Sequence, residues 1–237
     1  MEMIMNPIDF SKVVSIGSDK NILPAGYTQV DSITSSFPNG KGNDSLYVDT
    51  KISGINGCRV RGKFNVKAKD QLIYGARDNW TSNWFGCALS SEEDGGYFVF
   101  MPDGNNRFVS DLNVHFIDNN CSKPGYCMID SMEPHQLSNI NVSANTLYLF
   151  NDHSSPGGEY SAEATIYSAE FYRNQILVCK PIPCFRNSDN VAGFYDIVNN
   201  RFLTKEASHT GVLTAGNIVN NEVTELSIGG TVIWSKS

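Results

Sequence analysis

The sequence predicts an all-β fold, and three observations lead to that prediction. Short stretches with strand-like apolar patterns recur along the chain and are separated by clusters of Asn, Asp, Gly, Ser and Pro. Charged residues make up only 18% of the chain, and no long stretch has the period of an amphipathic helix. With 237 residues, 41% of them hydrophobic, one domain can bury a complete core. We therefore expect one large β-sandwich or barrel with small end pieces.

The segment before residue 23 is predicted to be an arm. Residues 17–21 read Gly-Ser-Asp-Lys-Asn and form a turn signal ahead of the main domain. The apolar residues before this turn can add a strand to the same fold or to a neighbouring subunit. The candidate attachment residues are Ile8, Phe10, Val13 and Val14. We expect residues 1–22 to serve attachment or oligomerisation.

The first clear strands follow this arm. A Pro-Gly turn at 24–26 precedes a predicted strand over 27–33, and a Gly/Asn-rich loop follows at 37–45. Over 59–66 polar and apolar residues alternate with period two. One face carries Val60, Gly62, Phe64 and Val66, and the other carries Arg59, Arg61, Lys63 and Asn65. This pattern predicts a half-buried strand with one wet face.

Further short strands are predicted in the middle of the chain. They lie at 71–75, 84–89, 97–101, 112–117 and 147–150. Their spacing favours a sandwich or barrel over βαβ units. The next strand, 163–172, has apolar residues on both parities, because Ile166 and Tyr172 fall on one and Ala169 and Phe171 on the other. We interpret it as a central strand covered on both faces.

Hairpins end the chain. A turn at 173–175 leads into a strand at 176–182, and Asn199-Asn200 joins 193–198 to 201–203, because Asn tolerates the positive φ of tight hairpins. Gly229-Gly230 joins a strand at 223–228 to one at 231–234. A lone hairpin is only marginally stable without a partner surface, so this last hairpin is predicted to be a separate attachment element. The predicted organisation is an arm at 1–22, a sandwich at 23–216 and a hairpin at 217–237.

Three pieces of sequence carry a family resemblance. They read LPAGYTQVDSI at 23–33, LYLFNDHSSPGGEYSAEATIYSAEFYRNQILV at 147–178, and PIPCFRNSDNVAGFYDIVNNRFL at 181–203. Together they resemble a concanavalin A-like, laminin-G-like jelly-roll domain of phage and prophage structural proteins from gut bacteria. The resemblance spans residues 23–215, with the part at 34–146 matching in strand rhythm rather than in motif. It implies a two-sheet antiparallel jelly-roll sandwich.

The resemblance also implies a role. Such a domain is expected to be a non-enzymatic component of a bacteriophage virion, as capsid decoration, head fibre or tail fibre. The implied partners are other virion proteins, further copies of the same chain, and cell-surface or mucin glycans. The protein would be made in the host bacterial cytoplasm, and the absence of a signal-peptide pattern at the start of the sequence fits release by lysis. The alternative is a bacterial or prophage glycan-binding, lectin-like module.

Charge and cysteine spacing narrow the function classes. The net charge of −7 argues against nonspecific attraction to nucleic acid or anionic lipid. No stretch approaches the ~20 apolar residues of a membrane helix. The cysteines, at positions 58, 87, 121, 127, 179 and 184, lack the paired C-x-x-C of a zinc site. We expect free, mostly buried thiols. In an oxidising medium, the alternative is a short disulfide bridge at Cys121/Cys127 and at Cys179/Cys184.

No catalytic motif stands out in the sequence. Some members of the broader fold are glucanases, which commonly carry Glu-x-Asp-x-x-Glu on one strand so that both acids share a face. The nearest text, Glu92-Glu93-Asp94, lacks the last Glu and lies in a Gly-rich turn. Neither a Gly-x-Ser-x-Gly elbow nor a phosphate-binding Gly-rich loop occurs. We therefore expect a protein that is not an enzyme.

Two clusters are candidate binding sites. Glycan binding needs aromatic platforms with polar neighbours, and the segment GARDNWTSNWFG supplies Arg77, Asp78, Trp80 and Trp84. A core strand beginning at Trp84, with Trp80 capping the loop or contacting a neighbouring subunit, explains the same residues. Oxygen donors at Asp103, Asn105 and Asn106 are weak calcium candidates that a plain Asp-Gly turn also explains. No other cofactor is expected.

Overall fold

The computed structural model describes fourteen stretches of the chain. These are residues 15–16, 23–39, 45–53, 57–67, 71–79, 82–90, 96–101, 107–110, 112–122, 124–137, 145–151, 161–219, 225–228 and 231–235. Within these ranges the chain forms strands, turns and bends but no helix, which confirms the all-β prediction. None of the described residues therefore belongs to a helix that could cross a membrane.

The strands are short, as the spacing of turn signals predicts. In chain order, the described residues form β1 Ser15–Ile16, β2 Tyr27–Gln29, β3 Ile33–Ser36, β4 Val48–Ser53, β5 Cys58–Val66, β6 Gln71–Asn79, β7 Ser82–Ser90, β8 Gly96–Met101, β9 Arg107–Ser110, β10 His115–Asn120, β11 Tyr126–Ile129, β12 His135–Gln136, β13 Thr146–Leu149, β14 Ala164–Arg173, β15 Ile176–Cys179, β16 Pro181–Arg186, β17 Val191–Asp196, β18 Arg201–Leu203, β19 Val212–Ala215, β20 Glu225–Ile228 and β21 Thr231–Ser235.

These strands pair into several antiparallel sheets. The largest is eight-stranded, in the order β12-β11-β10-β5-β14-β3-β19, with β15 paired to one end of β14. A six-stranded sheet has the order β4-β13-β6-β7-β8-β9, and a four-stranded sheet has the order β18-β17-β16-β2. A three-stranded sheet has the order β1-β20-β21.

The eight-stranded and six-stranded sheets share one hydrophobic core. Val60, Phe64 and Phe171 come from the first sheet, and Ile73, Phe85 and Leu149 come from the second. The Phe64 and Tyr74 rings meet between them with centroids 5.8 Å apart. Each fully buried side chain of this size contributes roughly 1.5–3 kcal/mol. This arrangement has the character of a β-sandwich, with β5 as the strand whose inner face the core covers.

The four-stranded sheet closes this core. Ala192 and Phe194 on β17 pack into the main core, while Tyr195 on the opposite face packs into a second, smaller cluster. The other buried members of the second cluster are Leu23, Ile182 and Cys184. Both faces of β17 are therefore covered, which explains why the segment PIPCF…AGFYD is so rich in apolar residues.

The prediction for 163–172 is right about position and wrong about its faces. β14 lies between β5 and β3, as expected of a central strand. However, Ile166 pairs with Phe64 whereas Ser168 pairs with Lys63, so Tyr167 is the extra residue of a β-bulge. The bulge reverses the parity of every later side chain. The apolar residues before and after the bulge therefore point to the same inner face although they differ in parity. The outer face of β14 is partly exposed.

Several predicted boundaries also need correction. The strand predicted at 27–33 is broken, because β2 ends at Gln29 and β3 begins at Ile33. The strand predicted at 176–182 is two strands, β15 and β16, separated by Lys180. The strand predicted at 112–117 begins three residues later, as β10. Strands β4, β9, β11, β12 and β19 were not predicted.

Other predictions are confirmed. The burial of β5 alternates along its length, with Arg59, Arg61 and Lys63 on the wet face. The hairpin turns take the expected positive φ, at 48° for Asn174 and 51° for Asn200.

The predicted arm and terminal hairpin meet in the three-stranded sheet. Ser15 pairs with Ser227 of β20, and Ile16 pairs with Leu226. The attachment candidates Ile8, Phe10, Val13 and Val14 lie outside the described residues. The boundary near residue 217 is tied to the sandwich, because Val30 forms a bridge with Ile218.

All six cysteines are buried, as predicted, and none of them forms a disulfide. Burial raises the pKa of the Cys184 thiol to about 12 and raises that of Cys87 well above its ordinary value. The thiolate is the reactive form, so native thiols should be inert. We expect a thiol reagent to label none of them at pH 7 within minutes and all of them in denaturant. Rapid labelling of the native protein would contradict this burial.

Candidate functional site

The predicted glycan cluster lies on one hairpin. Arg77 and Asp78 are on β6, Trp84 is on β7, and the register places Arg77 directly opposite Trp84. Trp80 and the side chains of the other three residues lie outside the described part of the chain. A glycan site at this hairpin therefore stays a prediction.

The calcium candidates Asp103 and Asn105 also fall outside the described residues. Within the ranges that are described, no three His, Cys, Asp or Glu side chains come together as a metal site.

A second polar surface lies on the eight-stranded sheet, on the wet face of β5. Cross-strand register assembles it: Arg61 is opposite Asp118 of β10 and Glu170 of β14, and Arg59 is opposite Tyr172 of β14. Residues opposite each other across strands are close enough to interact. We call this surface the polar face, and its residues are Arg59, Arg61, Phe116, Asp118, Tyr126, Glu170 and Tyr172.

Arg59 and Asp118 form the fixed end of the polar face. The Arg59 guanidinium donates from Nε to Oδ1 at 2.7 Å and from Nη2 to Oδ2 at 2.5 Å. Its carbon lies 5.8 Å from the Tyr126 ring centroid and 5.5 Å from that of Tyr172. The hydrogen bond to Asp118 is the main reason why the pKa of Arg59 is raised. Because Arg59 and Asp118 bind each other through two hydrogen bonds, we assign this pair a role in stability and not in ligand binding.

Replacing Arg59 with lysine should lower the free energy of unfolding by about 1–2 kcal/mol, because lysine cannot make the second hydrogen bond or stack between the tyrosines. Urea unfolding monitored by circular dichroism measures this loss. The matched control is Arg186→Lys, since Arg186 pairs with an exposed carboxylate at Asp189 and should show no resolvable change. Equal losses in the two variants would contradict a structural role for the Arg59 pair.

Glu170 lies at the other end of the polar face. Lys180 Nζ is 3.1 Å from its Oε1, and the Tyr172 hydroxyl donates to its Oε2 at 2.7 Å. Arg61 Nε is 3.7 Å from Oε2, beyond hydrogen-bond range. Burial raises the pKa of Glu170, but the Tyr172 and Lys180 hydrogen bonds and the charge of Arg61 outweigh burial and hold it below its ordinary value. Glu170 is thus ionised at neutral pH.

This end of the polar face opens into a cleft of about 410 Å³. That volume falls within the roughly 300–1,000 Å³ of small-molecule sites. We call it the charged cleft, and its charged lining residues are Asp31, Arg61, Glu170 and Lys180. Segments around residues 29–31 and 180–183 form its opposite wall.

The β-bulge forms the floor of the charged cleft. Gly62 pairs with Ala169 one position beyond the bulge, and both Gly62 and Ser168 line the cleft. A Cβ atom on Gly62 would overlap the carbonyl oxygen of Ser168 and lie 2.9 Å from its carbonyl carbon. The Ser168 hydroxyl in turn accepts from the backbone N–H of Lys63 at 3.1 Å. Only glycine allows this close approach of the two backbones.

Asp31 holds the rim of the charged cleft. Its carboxylate accepts from the Ser32 hydroxyl at 2.7 Å and from the backbone and side-chain nitrogens of Asn217, each at 3.1 Å. The hydrogen bond from Ser32 is the largest of the influences on Asp31, and together with those from Asn217 it holds the pKa of this carboxyl below its ordinary value.

The charged cleft suits binding better than proton transfer. A general acid that works near neutral pH needs a carboxyl with a raised pKa. Both carboxyls of the cleft, Asp31 and Glu170, instead have lowered pKa values. They are fixed acceptors, and Arg61 and Lys180 are fixed donors beside them.

Sequence reasoning missed this site because its residues are far apart in the chain. Arg61, Glu170 and Lys180 come together only through the pairing of β5 with β14 and the short link between β15 and β16. The one available signal was the wet face of β5, which the sequence does show.

No family model matches the chain, and no curated protein matches it either.

Proposed function

We propose that the chain is a non-enzymatic structural protein of a bacteriophage, displayed on the virion as capsid decoration or as a head-fibre or tail-fibre component. The quoted motifs at 23–33, 147–178 and 181–203 support this role, and the sandwich-like packing of antiparallel sheets is compatible with the concanavalin A-like jelly roll that they imply. The lowered pKa values of Asp31 and Glu170 argue against either of them acting as a general acid near neutral pH.

One observation carries the proposal. Part of the arm and the terminal hairpin join in a sheet of their own, β1-β20-β21, which shares no strand with the other sheets of the described chain. A three-stranded sheet whose first strand has only two residues is marginal without a partner surface. We infer that other virion proteins, or further copies of this chain, cover it, while the sandwich is displayed. The protein would be made in the host bacterial cytoplasm and carried on the virion.

Deleting residues 1–21 should abolish association with phage particles, because it removes β1 from the three-stranded sheet β1-β20-β21. Ile16→Pro is the matched point variant, since Ile16 pairs with Leu226 and proline is disfavoured within a paired strand. Co-sedimentation of each variant with particles measures attachment, and thermal unfolding checks that the sandwich stays folded. Full attachment by both variants would overturn the role of this sheet.

A second candidate function is a glycan-binding module of a bacterium or prophage. The charged cleft favours it, because ionised acceptors and donors lie beside the Phe116 ring. A glycan array tests this candidate, and an array without binding would remove it. Glycan binding that is unchanged in Trp80→Ala would place the site away from the predicted hairpin loop.

A further inference from the structure

Three arginines in the described part of the chain lie over an aromatic ring, and they differ in what their N–H groups contact. Arg59 donates two hydrogen bonds to Asp118. Arg186, which lies 5.1 Å from the Phe202 ring centroid, donates to both oxygens of Asp189. Arg61 lies 5.2 Å from the Phe116 ring centroid, and its nearest carboxylate oxygen is 3.7 Å away. Among the described contacts, Arg61 is the one of these three whose side chain makes no hydrogen bond.

Glu170 does not accept a hydrogen bond from the Arg61 guanidinium. Its nearest oxygen is 3.7 Å from Arg61 Nε, while the same carboxylate lies within hydrogen-bond distance of Lys180 and Tyr172 and keeps lone pairs for further donors. The Arg61 side chain is 37% exposed, and the Phe116 ring holds its guanidinium against the sheet. The result is a planar donor group that lies over an aromatic ring at the wall of a cleft, with no described hydrogen bond from its side-chain N–H groups. Such a fork matches a carboxylate that binds through two parallel hydrogen bonds.

The rest of the charged cleft offers chemistry for hydroxyl groups. Asp31 and Glu170 are ionised acceptors, and Lys180 adds a donor that is 36% exposed. The four charged lining groups sum to zero, since Arg61 and Lys180 balance the two carboxylates. The lining of the cleft is thus neutral, whereas the protein as a whole has a net charge of −7. The cleft therefore repels an anion less than the net charge alone would suggest.

We propose that the charged cleft binds a sugar that carries a carboxylate, with Arg61 forming the bidentate contact to that carboxylate. Asp31, Glu170 and Lys180 contact the hydroxyl groups of the same sugar. The inference deepens the glycan adhesion considered under the proposed function and rests on it. It moves the recognition site from the β6–β7 hairpin to the floor and walls formed by β5, β14 and β16.

Isothermal titration with paired probes tests the proposal. The pairs are sialyllactose against lactose, and glucuronic acid against glucose. We expect the acidic member of at least one pair to bind about tenfold or more tightly than its neutral partner, and Arg61→Ala to remove that preference. Arg61→Lys should retain part of it, because a point charge replaces the fork. Arg186→Ala is the matched control and should leave binding unchanged.

Other results would overturn the proposal. Equal binding of acidic and neutral sugars would remove the carboxylate contact, and acidic binding that persists in Arg61→Ala, with an unchanged unfolding midpoint, would remove the site. Binding of polyglutamate as tight as that of the acidic sugars would replace the sugar with an acidic peptide. Absence of all sugar binding would also overturn it, while particle attachment by the full chain would show that the display function stands.

Discussion

Replacing Asp196 with alanine is expected to lower the free energy of unfolding by about 3–5 kcal/mol. Its carboxylate is fully buried and accepts from the backbone N–H groups of Lys180 and Val198, each at 3.1 Å. It also accepts from Asn199 Nδ2 at 2.6 Å and from Arg201 Nε at 3.2 Å. Removal of the carboxylate leaves four donors without their acceptor at a residue that has no solvent exposure.

The loss should spread beyond the hairpin that contains Asp196. Arg201 also donates to the carbonyl oxygen of Thr50 at 2.7 Å and so joins the four-stranded sheet to β4. Urea unfolding of Asp196→Ala measures the loss. Asp189→Ala is the matched control, because that carboxylate is exposed in the turn between β16 and β17 and accepts from Arg186 and, at 3.3 Å, from the backbone N–H of Val191. A loss of unfolding free energy in Asp196→Ala that is no larger than in the control would contradict the stabilising role of the hydrogen bonds to Asp196.

The same residue predicts a pH dependence. Burial raises the pKa of Asp196, but its hydrogen bonds from Asn199, Lys180 and Val198 outweigh burial and hold the pKa below the ordinary 3.8. A carboxyl with a depressed folded-state pKa stabilises the protein above its unfolded-state pKa and loses that contribution as pH falls through the folded value. The stability gap between the wild type and Asp196→Asn should therefore be constant from pH 7 to about 5 and shrink below about 4. A gap that stays constant into acid would contradict this assignment.

Replacing Gly62 with alanine is expected to lower the free energy of unfolding by about 2–3 kcal/mol, which is large for a single added methyl group. The new Cβ atom would overlap the Ser168 carbonyl oxygen and lie 3.0 Å from the Ala169 Cα. Both neighbours are backbone atoms of a central strand, so a side-chain rotation cannot relieve the overlap. The strand pair β5–β14 must separate or the bulge must shift.

Lys63→Ala is the control for Gly62→Ala. Lys63 is the next residue on the same strand and its side chain is exposed, so its truncation adds no overlap. Thermal and urea unfolding compare the two variants. Gly62→Ala with wild-type stability would show that β5 and β14 do not approach as closely as the bulge requires.

Local sequence patterns were enough to predict several of the strands and hairpins. The alternation of Arg59, Val60 and Arg61 predicted the half-buried β5, and paired asparagines predicted the hairpin at Asn200, because both signals are local. The bulge at Tyr167 was not predictable in this way. A bulge residue has no sequence signature of its own. It shifts the later apolar residues to the other parity, and the resulting pattern looks like that of a strand covered on both faces.

The candidate site shows the same limit. Arg77 and Trp84 attract attention because they are neighbours in sequence, and the β6–β7 register does place them opposite each other. Arg61 and Glu170 are 109 positions apart (170 − 61) and become neighbours only through cross-strand pairing. Register between distant strands depends on the whole core, so local patterns do not specify it.

The most direct test of the proposed virion role is the protein content of purified phage particles from cells in which this chain is produced. Particles banded in a density gradient and analysed by quantitative mass spectrometry should contain the chain at a fixed copy number relative to the major capsid protein. That ratio should survive a second gradient. A chain that is absent from the banded particles, and recovered instead with the free proteins of the lysate, would contradict the account.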